Sequence, residues 1–439
     1  MTSDLNQGFP LSPPQEHLWR TERVGANVGL HLSVEGPLAL DLLTERLETL
    51  ARREEILRSF VTRLGETNVG VQVVGDAPRI EVVEASSAER ERAFQNALAA
   101  PLGQTEGAAL LRAVLVSEAA DRHDLLLVQS VACADHHSLG LLARALVAVD
   151  PEPDPERMQY ADLAQWLREM FDDEDYAEGL GFWRGVSLAD VSAQRLSLER
   201  PTDEAARSAA EASRSVACDA DALAAAAERL GTRPEVLLFG LWRHLLAKHT
   251  DRDDPILGYA SPGRAYEGLD AAMGRFQRVL PIHAGPLEDD ARATFAGLAT
   301  QLEEAQEWHE LWDLARLAGN DAPSFLPIVF EHLPGSSAAD EGWQGRGLRL
   351  TPRQHLGHAD PFRLKLRWDE ADAALRRQSR GGDDRGGRRS TRVSRSHPRG
   401  RRPDLARRRF QGVGGADPRR VLRRRYRGGG RTLVSRAGT

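Results

Sequence analysis

The stretch HDLLLVQSVACADHHSLGLLARAL, from His123 to Leu146, decides the fold. Its apolar run Leu125–Val128 is typical of a buried strand, and the residues after Asp135 have the apolar spacing of an amphipathic helix. A short turn joins the two. Asp135, at the start of the helix, can accept hydrogen bonds from free N–H groups of the first helical turn. Ser138 is the expected N-cap.

Length and composition indicate more than one packed unit. The chain has 439 residues, 41% of them hydrophobic, which is enough for two lobes. No apolar run approaches the roughly 18 residues of a membrane-spanning helix, and the first residues lack the pattern of a secretory signal. Cys133 and Cys218 have no zinc-like spacing. We therefore expect a cytoplasmic protein without a membrane segment, disulfide framework or bound metal.

Predicted strands and helices are interspersed along the chain, which indicates an α/β protein. A helix is expected at 40–53, and strands at 109–117 and 125–130. In the second half, Asp219 and Gly231 bound a helix, and Thr232 with Glu235 forms a capping box before another. A short helix at 269–273 and strands at 325–331 and 363–368 follow. We predict an N-terminal lobe at 1–175 and a C-terminal lobe at 176–375.

The composition changes abruptly after Leu375. Residues 371–439 contain 22 arginines and five acidic residues, and apolar periodicity disappears. Such a segment buries too little surface to offset the entropy of ordering, so a disordered Arg/Gly-rich tail is predicted at 376–439. It is either native or the product of a frameshift. Phe410 and Tyr426 are its only aromatic residues, which disfavours binding to nucleic acid.

Six segments resemble, in order, motifs of the condensation domains of nonribosomal peptide synthetases, over residues 9–370. The opening stretch is similar to the family's strand, HHxxxDG turn and helix. The others are FPLSPPQEHLW (Phe9–Trp19), REEILRSF (Arg53–Phe60), QYADLAQW (Gln159–Trp166), GYASPGRAYEGLDAAMGRFQRVLPIH (Gly258–His283) and VFEHLP (Val329–Pro334). The resemblance implies two chloramphenicol-acetyltransferase-like lobes in a V-shaped pseudo-dimer with a tunnel between them.

The motif is degenerate in this chain. Asp135 stands at its aspartate, but Ser130 and Val131 stand where the family has two histidines. In the family, the second histidine positions or deprotonates the nucleophile, while the aspartate pairs with an arginine. The resemblance implies Arg58 as that partner. Arg278 replaces an asparagine of the fifth motif, and we expect it to be a solvated charge.

Two histidines just beyond the aspartate are candidate catalytic residues. His136 and His137 could bring an imidazole to the tunnel from the other side of the turn. Alternatively they face solvent or cap the helix. Valine cannot exchange a proton, and serine without a neighbouring base is a poor substitute.

The sequence leaves two functions open, so whether the protein is an enzyme stays undecided. One is a free-standing condensation-type acyltransferase that joins a carrier-bound acyl thioester to an amine or alcohol. The other is a catalytically inactive module that docks carrier proteins or recruits a tailoring enzyme. Both imply a peptidyl or acyl carrier protein as partner. The resemblance implies that substrates arrive on phosphopantetheine arms and that no cofactor is bound.

Overall fold

The structure is a computed structural model, and it describes most of the chain up to residue 380. The described residues are 8–104, 107–149, 158–186, 188, 191, 194, 196–197, 211–250, 254–266, 268–283, 290–314, 325–333, 342–358, 360–370 and 374–380. The described α-helices are α1 (Pro13–Arg20), α2 (Leu40–Arg53), α3 (Arg90–Ala99), α4 (His136–Val147), α5 (Tyr160–Glu169), α6 (Ala177–Gly185), α7 (Ala220–Leu230), α8 (Pro234–Ala247) and α9 (Ala291–Glu307).

The strands of the described residues form two six-stranded sheets and one small sheet. They are β1 (Phe9–Pro10), β2 (Asn27–Glu35), β3 (Ser59–Arg63), β4 (Gly70–Val74), β5 (Ile80–Ala85), β6 (Leu111–Ala119), β7 (Arg122–Ser130), β8 (Glu211–Ala217), β9 (Leu257–Ser261), β10 (Arg278–Ile282), β11 (Ile328–Leu333), β12 (Trp343–Gly345), β13 (Leu348–Gly357), β14 (Leu364–Asp369) and β15 (Ala374–Arg380).

The first large sheet has the order β12-β13-β2-β7-β6-β5. Strand β7 lies near its centre and is covered on both faces. Leu125 and Leu127 belong to the main hydrophobic core, whereas Leu126 and Val128 pack in a second cluster with Phe94 of α3. Side chains alternate between the two faces of a strand, and both faces are buried here, so the segment reads as a continuous apolar run.

The second large sheet has the order β10-β9-β11-β14-β15-β8. Strand β11 pairs in parallel with β9 and β14, whereas β9–β10, β14–β15 and β15–β8 are antiparallel. Helices α8 and α9 pack closely at Gly240. A Cβ on this residue would lie only 2.4 Å from the ring of Phe295. The small sheet has the order β1-β4-β3.

A segment of the second half crosses into the first sheet. Strand β13 pairs antiparallel with β2, from Arg349 opposite Glu35 to Gly357 opposite Val28. Residues 343–357 therefore extend the sheet of the N-terminal lobe, although the predicted boundary assigned them to the C-terminal lobe. Sequence periodicity identifies a strand but not the sheet that it joins.

Three local predictions were wrong. Helix α8 begins at Pro234 with Arg233 as N-cap, so Thr232 and Glu235 form no capping box. The expected helix at 269–273 is a short 3-10 helix at Leu269–Ala271. The predicted tail began at 376, but β15 runs through Arg380 and pairs with β14 and β8. The rest of that tail, 381–439, lies outside the described residues.

Other local predictions are confirmed. Helix α2 occupies the predicted range. Asp219 caps α7 by accepting from the Ala222 amide, and Gly231 ends that helix in the left-handed conformation. Among the described helices, none is both long and apolar enough to cross a lipid bilayer.

Candidate functional site

The turn after β7 is held from several sides. The Ala134 amide donates to the Ser130 carbonyl at 3.0 Å, closing the turn on itself. The buried Gln15 of α1 donates from Nε2 to the Ala132 carbonyl at 2.9 Å. Cys133 donates from Sγ to the Ser59 carbonyl at 3.3 Å. The first motif and the turn are therefore joined, and the position of Asp135 is fixed.

The two positions where the family has histidines contribute no titratable group. The Ser130 hydroxyl donates to the Val24 carbonyl at 2.9 Å and accepts from the Ala132 amide at 3.2 Å. Val131 is 0% exposed and belongs to the main hydrophobic core. Neither side chain can accept a proton from a nucleophile at this place.

Asp135 connects the two lobes. It is the N-cap of α4, accepting from the Ser138 amide at 2.9 Å, so the expected N-cap Ser138 is wrong by three positions. Its two carboxylate oxygens also accept from both terminal nitrogens of Arg264, at 2.9 Å each. The amides of Phe276 and Gln277 donate to it at 3.0 and 3.1 Å.

These donors keep the Asp135 carboxylate ionised. Burial alone raises its pKa, but the Arg264 guanidinium and the backbone amides outweigh burial and hold the pKa well below its usual range. The carboxylate is therefore a permanent anion at the lobe junction. It organises the structure and exchanges no proton near neutral pH.

Arg58 is not the partner of Asp135. Its guanidinium donates to the Gly75 carbonyl and lies 3.5 Å from the Glu55 carboxylate. It therefore stabilises the connection between the 3-10 helix at Glu55–Arg58 and the small sheet. The resemblance to the family implied an arginine partner for Asp135, but the arginine that pairs with it is Arg264, from the segment after β9.

The segment before β10 is anchored to the first lobe by residues of two motifs. Tyr160 of α5 donates from its hydroxyl to the Arg275 carbonyl at 2.6 Å and also bonds to the Ser12 hydroxyl at 2.8 Å. Gly274 has φ +150, and a Cβ there would lie 2.0 Å from the Tyr160 ring. Only glycine fits this conformation and this contact.

His136 is buried at the interface between the lobes. Its Nε2 lies 3.4 Å from the Leu356 carbonyl of β13, and its ring centroid is 4.8 Å from that of His355. Its Nδ1 has no hydrogen-bond partner and lies 3.9 Å from Oε1 of Glu331. Burial and the nearby Arg367 lower the pKa of His136 to about 3. The imidazole is therefore neutral and a weak base.

His137 also contacts the second lobe. Its Nε2 lies 2.8 Å from the Asp270 carbonyl, and the residue is exposed. Partial burial and the Arg264 charge lower its pKa. Both candidate histidines thus link α4 to the C-terminal half of the chain, and their catalytic role stays a prediction.

Sequence reasoning missed a buried polar cluster beside His136. Glu331 accepts from Arg367 Nε at 2.7 Å, Lys365 Nζ at 3.3 Å and Gln277 Nε2 at 3.2 Å. These four side chains are at most 8% exposed. Burial opposes ionisation of Glu331, but Arg367 and Lys365 hold its pKa well below the usual value. The only available signal was the presence of charges in apolar strands, as in LKLRWD of β14.

Arg278 is buried, in contrast to the solvated charge that we expected. Its guanidinium donates to the carbonyls of His309, Glu310 and Trp312. The arginine at the place of the family's asparagine therefore closes the loop that follows α9. No group of three or more His, Cys, Asp or Glu side chains in the described ranges is arranged to hold a metal ion.

Two α/β lobes that meet at the turn after β7 define the class: a two-lobed α/β protein, so the predicted two-lobed α/β fold is confirmed. The model of the condensation domain family matches residues 6–330, and the chain belongs to that family. The chain is 27% identical over 401 residues to bacitracin synthase 2 of Bacillus licheniformis, covering 85% of this chain but 14% of that relative.

Two solved structures share the fold. The condensation domain of the Monacolin K polyketide synthase MokA has a TM-score of 0.70 and 18% identity, covering 85% of this chain and 92% of that one. The X-domain from teicoplanin biosynthesis has a TM-score of 0.66 and 21% identity, covering 85% and 88%.

Proposed function

We propose that this protein is a condensation-type module of nonribosomal peptide biosynthesis that receives carrier-bound substrates without supplying a catalytic base. The observation that carries the proposal is Val131, an apolar and fully buried side chain at the position of the second motif histidine. Its partners in this proposal are carrier proteins, which present acyl or peptidyl groups on phosphopantetheine arms.

The neighbouring histidines support this proposal. A general base works best when its pKa lies near the working pH, and the pKa of His136 is about 3. His136 also occupies the place of the motif glycine and packs against His355 between the lobes. By contrast, the Asp135–Arg264 pair that maintains the lobe junction is present.

Recruitment of a second enzyme fits the same geometry. The X-domain from teicoplanin biosynthesis, a structural relative of this chain, has been solved in complex with OxyB. We propose the analogous role, binding of a tailoring enzyme, for the present fold.

The proposal is tested with a peptidyl carrier protein that is loaded with an acyl thioester and supplied with an amine acceptor. We expect the carrier to bind, while amide formation does not exceed the rate without the protein. Val131→Ala is the matched control for the two histidine variants. It changes a residue of the same motif without adding or removing a base. Amide formation that requires the protein and decreases on His136→Ala or His137→Ala contradicts the proposal.

Catalysis is the second candidate: a free-standing enzyme that joins the acyl thioester to an amine or alcohol. Holding two reactants in line can supply about 7–11 kcal/mol of the barrier, and loss of a base removes only about 10²–10⁴-fold. The observation in its favour is geometric: Nδ1 of His136 has no hydrogen-bond partner and lies 3.9 Å from Oε1 of Glu331. Carrier-dependent turnover that is sensitive to His136 supports this candidate.

A further inference from the structure

A short loop after α9, residues 309–312, is fastened to β10. Nη1 of Arg278 donates to the carbonyls of His309 at 3.3 Å, Glu310 at 2.9 Å and Trp312. The Trp312 indole donates in turn to the Val279 carbonyl at 2.9 Å. One guanidinium nitrogen thus serves three backbone carbonyls, so the position of the 309–312 loop depends on where Arg278 donates its hydrogen bonds.

The 309–312 loop lies next to the junction of the lobes. Nε2 of His309 lies 3.1 Å from the Phe276 carbonyl, and the amide of Phe276 donates to Asp135. In addition, a Cβ on Gly179 of α6 would lie only 2.5 Å from the Leu311 side chain, so this helix and the loop are in close contact. A change in the loop would therefore reach both α6 and the segment that Asp135 holds.

The side chain of Glu310 in this loop is buried without a partner. It is 3% exposed, and neither of its carboxyl oxygens has a hydrogen-bond partner on another described residue. Arg278 donates to the backbone carbonyl of Glu310, but no ion pair joins these two side chains. An ionised carboxylate without a partner is so costly in an apolar place that the group keeps its proton instead. The observed arrangement is therefore that of a neutral carboxylic acid.

Arg278 is the charge that acts on Glu310 most strongly. The titratable and charged groups on the elements around Glu310 are Arg278 of β10, Tyr266 after β9, Tyr176 before α6, Glu178 and Arg184 of α6, Glu307 at the end of α9, and His309 and Asp313 beside it in the chain. Glu178, Arg184 and Glu307 are exposed. Burial, together with the Arg278 charge, lowers the pKa of His309 to about 3, so its ring is neutral. Burial raises the pKa of Glu310 to about 7, and the Arg278 charge opposes this only in part.

We propose that Glu310 is a proton switch for the 309–312 loop: the neutral acid leaves Arg278 on the three carbonyls, and the carboxylate draws Arg278 away from them and loosens the loop. Nε of Arg278 has no hydrogen-bond partner among the described residues, so the guanidinium keeps a donor for the carboxylate. Hydrogen bonds to an ionised acceptor are about twice as strong as those to a neutral one. On switching, Glu310 releases its proton to solvent, and nothing else is consumed.

The direction of the switch follows from proton binding. The pKa of Glu310 is about 7 in the folded protein, above its ordinary value of 4.5. Between these values the folded chain binds a proton that the unfolded chain lacks, so the stability that Glu310 contributes is complete below about pH 4.5 and is lost as the pH rises through about 7. His136 acts in the opposite direction over part of this range, because its pKa is lowered. The switch is therefore best measured in the loop itself.

Hydrogen exchange of the loop amides in the full chain tests the inference. Mass spectrometry at about pH 6 and about pH 8.5 gives the protection, after correction for the intrinsic pH dependence of exchange. In the wild type, we expect the protection of residues 309–312 to fall about tenfold between the two pH values. Glu310→Gln, which has the shape of the neutral acid but cannot ionise, should keep its protection. Unchanged protection in the wild type, or an equal loss in Glu310→Gln, overturns the inference.

Two further variants and a second measurement complete the test. Glu303→Gln, at an exposed position of α9, is the matched control and should lose protection as the wild type does. Glu310→Met places an apolar side chain in the same apolar surroundings and should behave like Glu310→Gln. Infrared spectra of the wild type should contain the C=O band of a neutral carboxyl group at about pH 6 and lose it by about pH 8.5. Absence of this band at the lower pH also overturns the inference.

Discussion

The guanidinium of Arg264 makes two hydrogen bonds of 2.9 Å to the two carboxylate oxygens of Asp135. Paired, charge-assisted bonds of this kind fix both distance and orientation. Asp135 begins α4 of the first lobe, and Arg264 follows β9 of the second. Both side chains are at most 5% exposed. The acid of the motif thus joins the lobes, and the junction does not require the missing histidines.

Replacing Asp135 with alanine should destabilise the protein by about 3–5 kcal/mol, because it leaves the buried Arg264 charge without its counter-charge. Urea unfolding followed by circular dichroism measures this loss, and the soluble yield should fall as well. The matched control is Asp219→Ala. Asp219 also caps a helix but is exposed, so its loss should cost only about 1 kcal/mol.

A double-mutant cycle separates the two arginines. Asp135→Asn should couple energetically to Arg264→Gln, because the two side chains share hydrogen bonds. Coupling to Arg58→Gln should be close to zero, since Arg58 contacts Glu55 and Gly75 instead. Strong coupling between Asp135 and Arg58 contradicts the arrangement described here.

Local patterns predicted the elements well, because they depend on neighbouring residues. The apolar run of β7, the spacing in α2 and the cap of α7 each lie within one short segment. The degenerate motif was visible in the same way. Aligning the chain with the family motif is enough to show that Ser130 and Val131 replace the two histidines.

Long-range contacts could not be predicted from the sequence, for a physical reason. Nothing in the residues around Asp135 distinguishes Arg58 from Arg264, because either arginine has the required charge. Similarly, β13 has the composition of an ordinary strand, and only packing decides that it pairs with β2. The cluster around Glu331 is assembled from separate strands, so no spacing of residues along the chain predicts it.

Arg278→Met should destabilise the protein by about 3 kcal/mol, because the carbonyls of His309, Glu310 and Trp312 lose their shared buried donor. Thermal unfolding measures the effect. Arg292→Met, at an exposed position of α9, is the control and should change stability little. Equal stability of the two variants would mean that the loop after α9 does not depend on Arg278.

The two cysteines should differ in reactivity. Cys133 is 2% exposed, and burial raises the pKa of its thiol to about 12, so little thiolate forms and reagents cannot reach it. Cys218 is partly exposed. In the native protein, iodoacetamide should modify Cys218 first, and Cys133 should react only on unfolding. Mass spectrometry of tryptic peptides identifies the site, and fast native labelling of Cys133 contradicts its burial.

Stability should decrease in mild acid because of His136. Its pKa is about 3 in the folded protein, whereas an unfolded histidine has a pKa of about 6.5. Between these values the unfolded chain binds a proton that the folded chain does not, so the free energy of unfolding rises with pH there and falls as the pH drops below about 6.5. One such group contributes a slope of up to about 1.4 kcal/mol per pH unit.

His136→Asn removes this group and should reduce that slope between about pH 4 and pH 6, whatever its effect on stability at neutral pH. Urea unfolding at several pH values gives the slope directly. The control is His244→Asn, which replaces a histidine at an exposed position of α8. An unchanged slope in His136→Asn would show that this imidazole is not held neutral between the lobes.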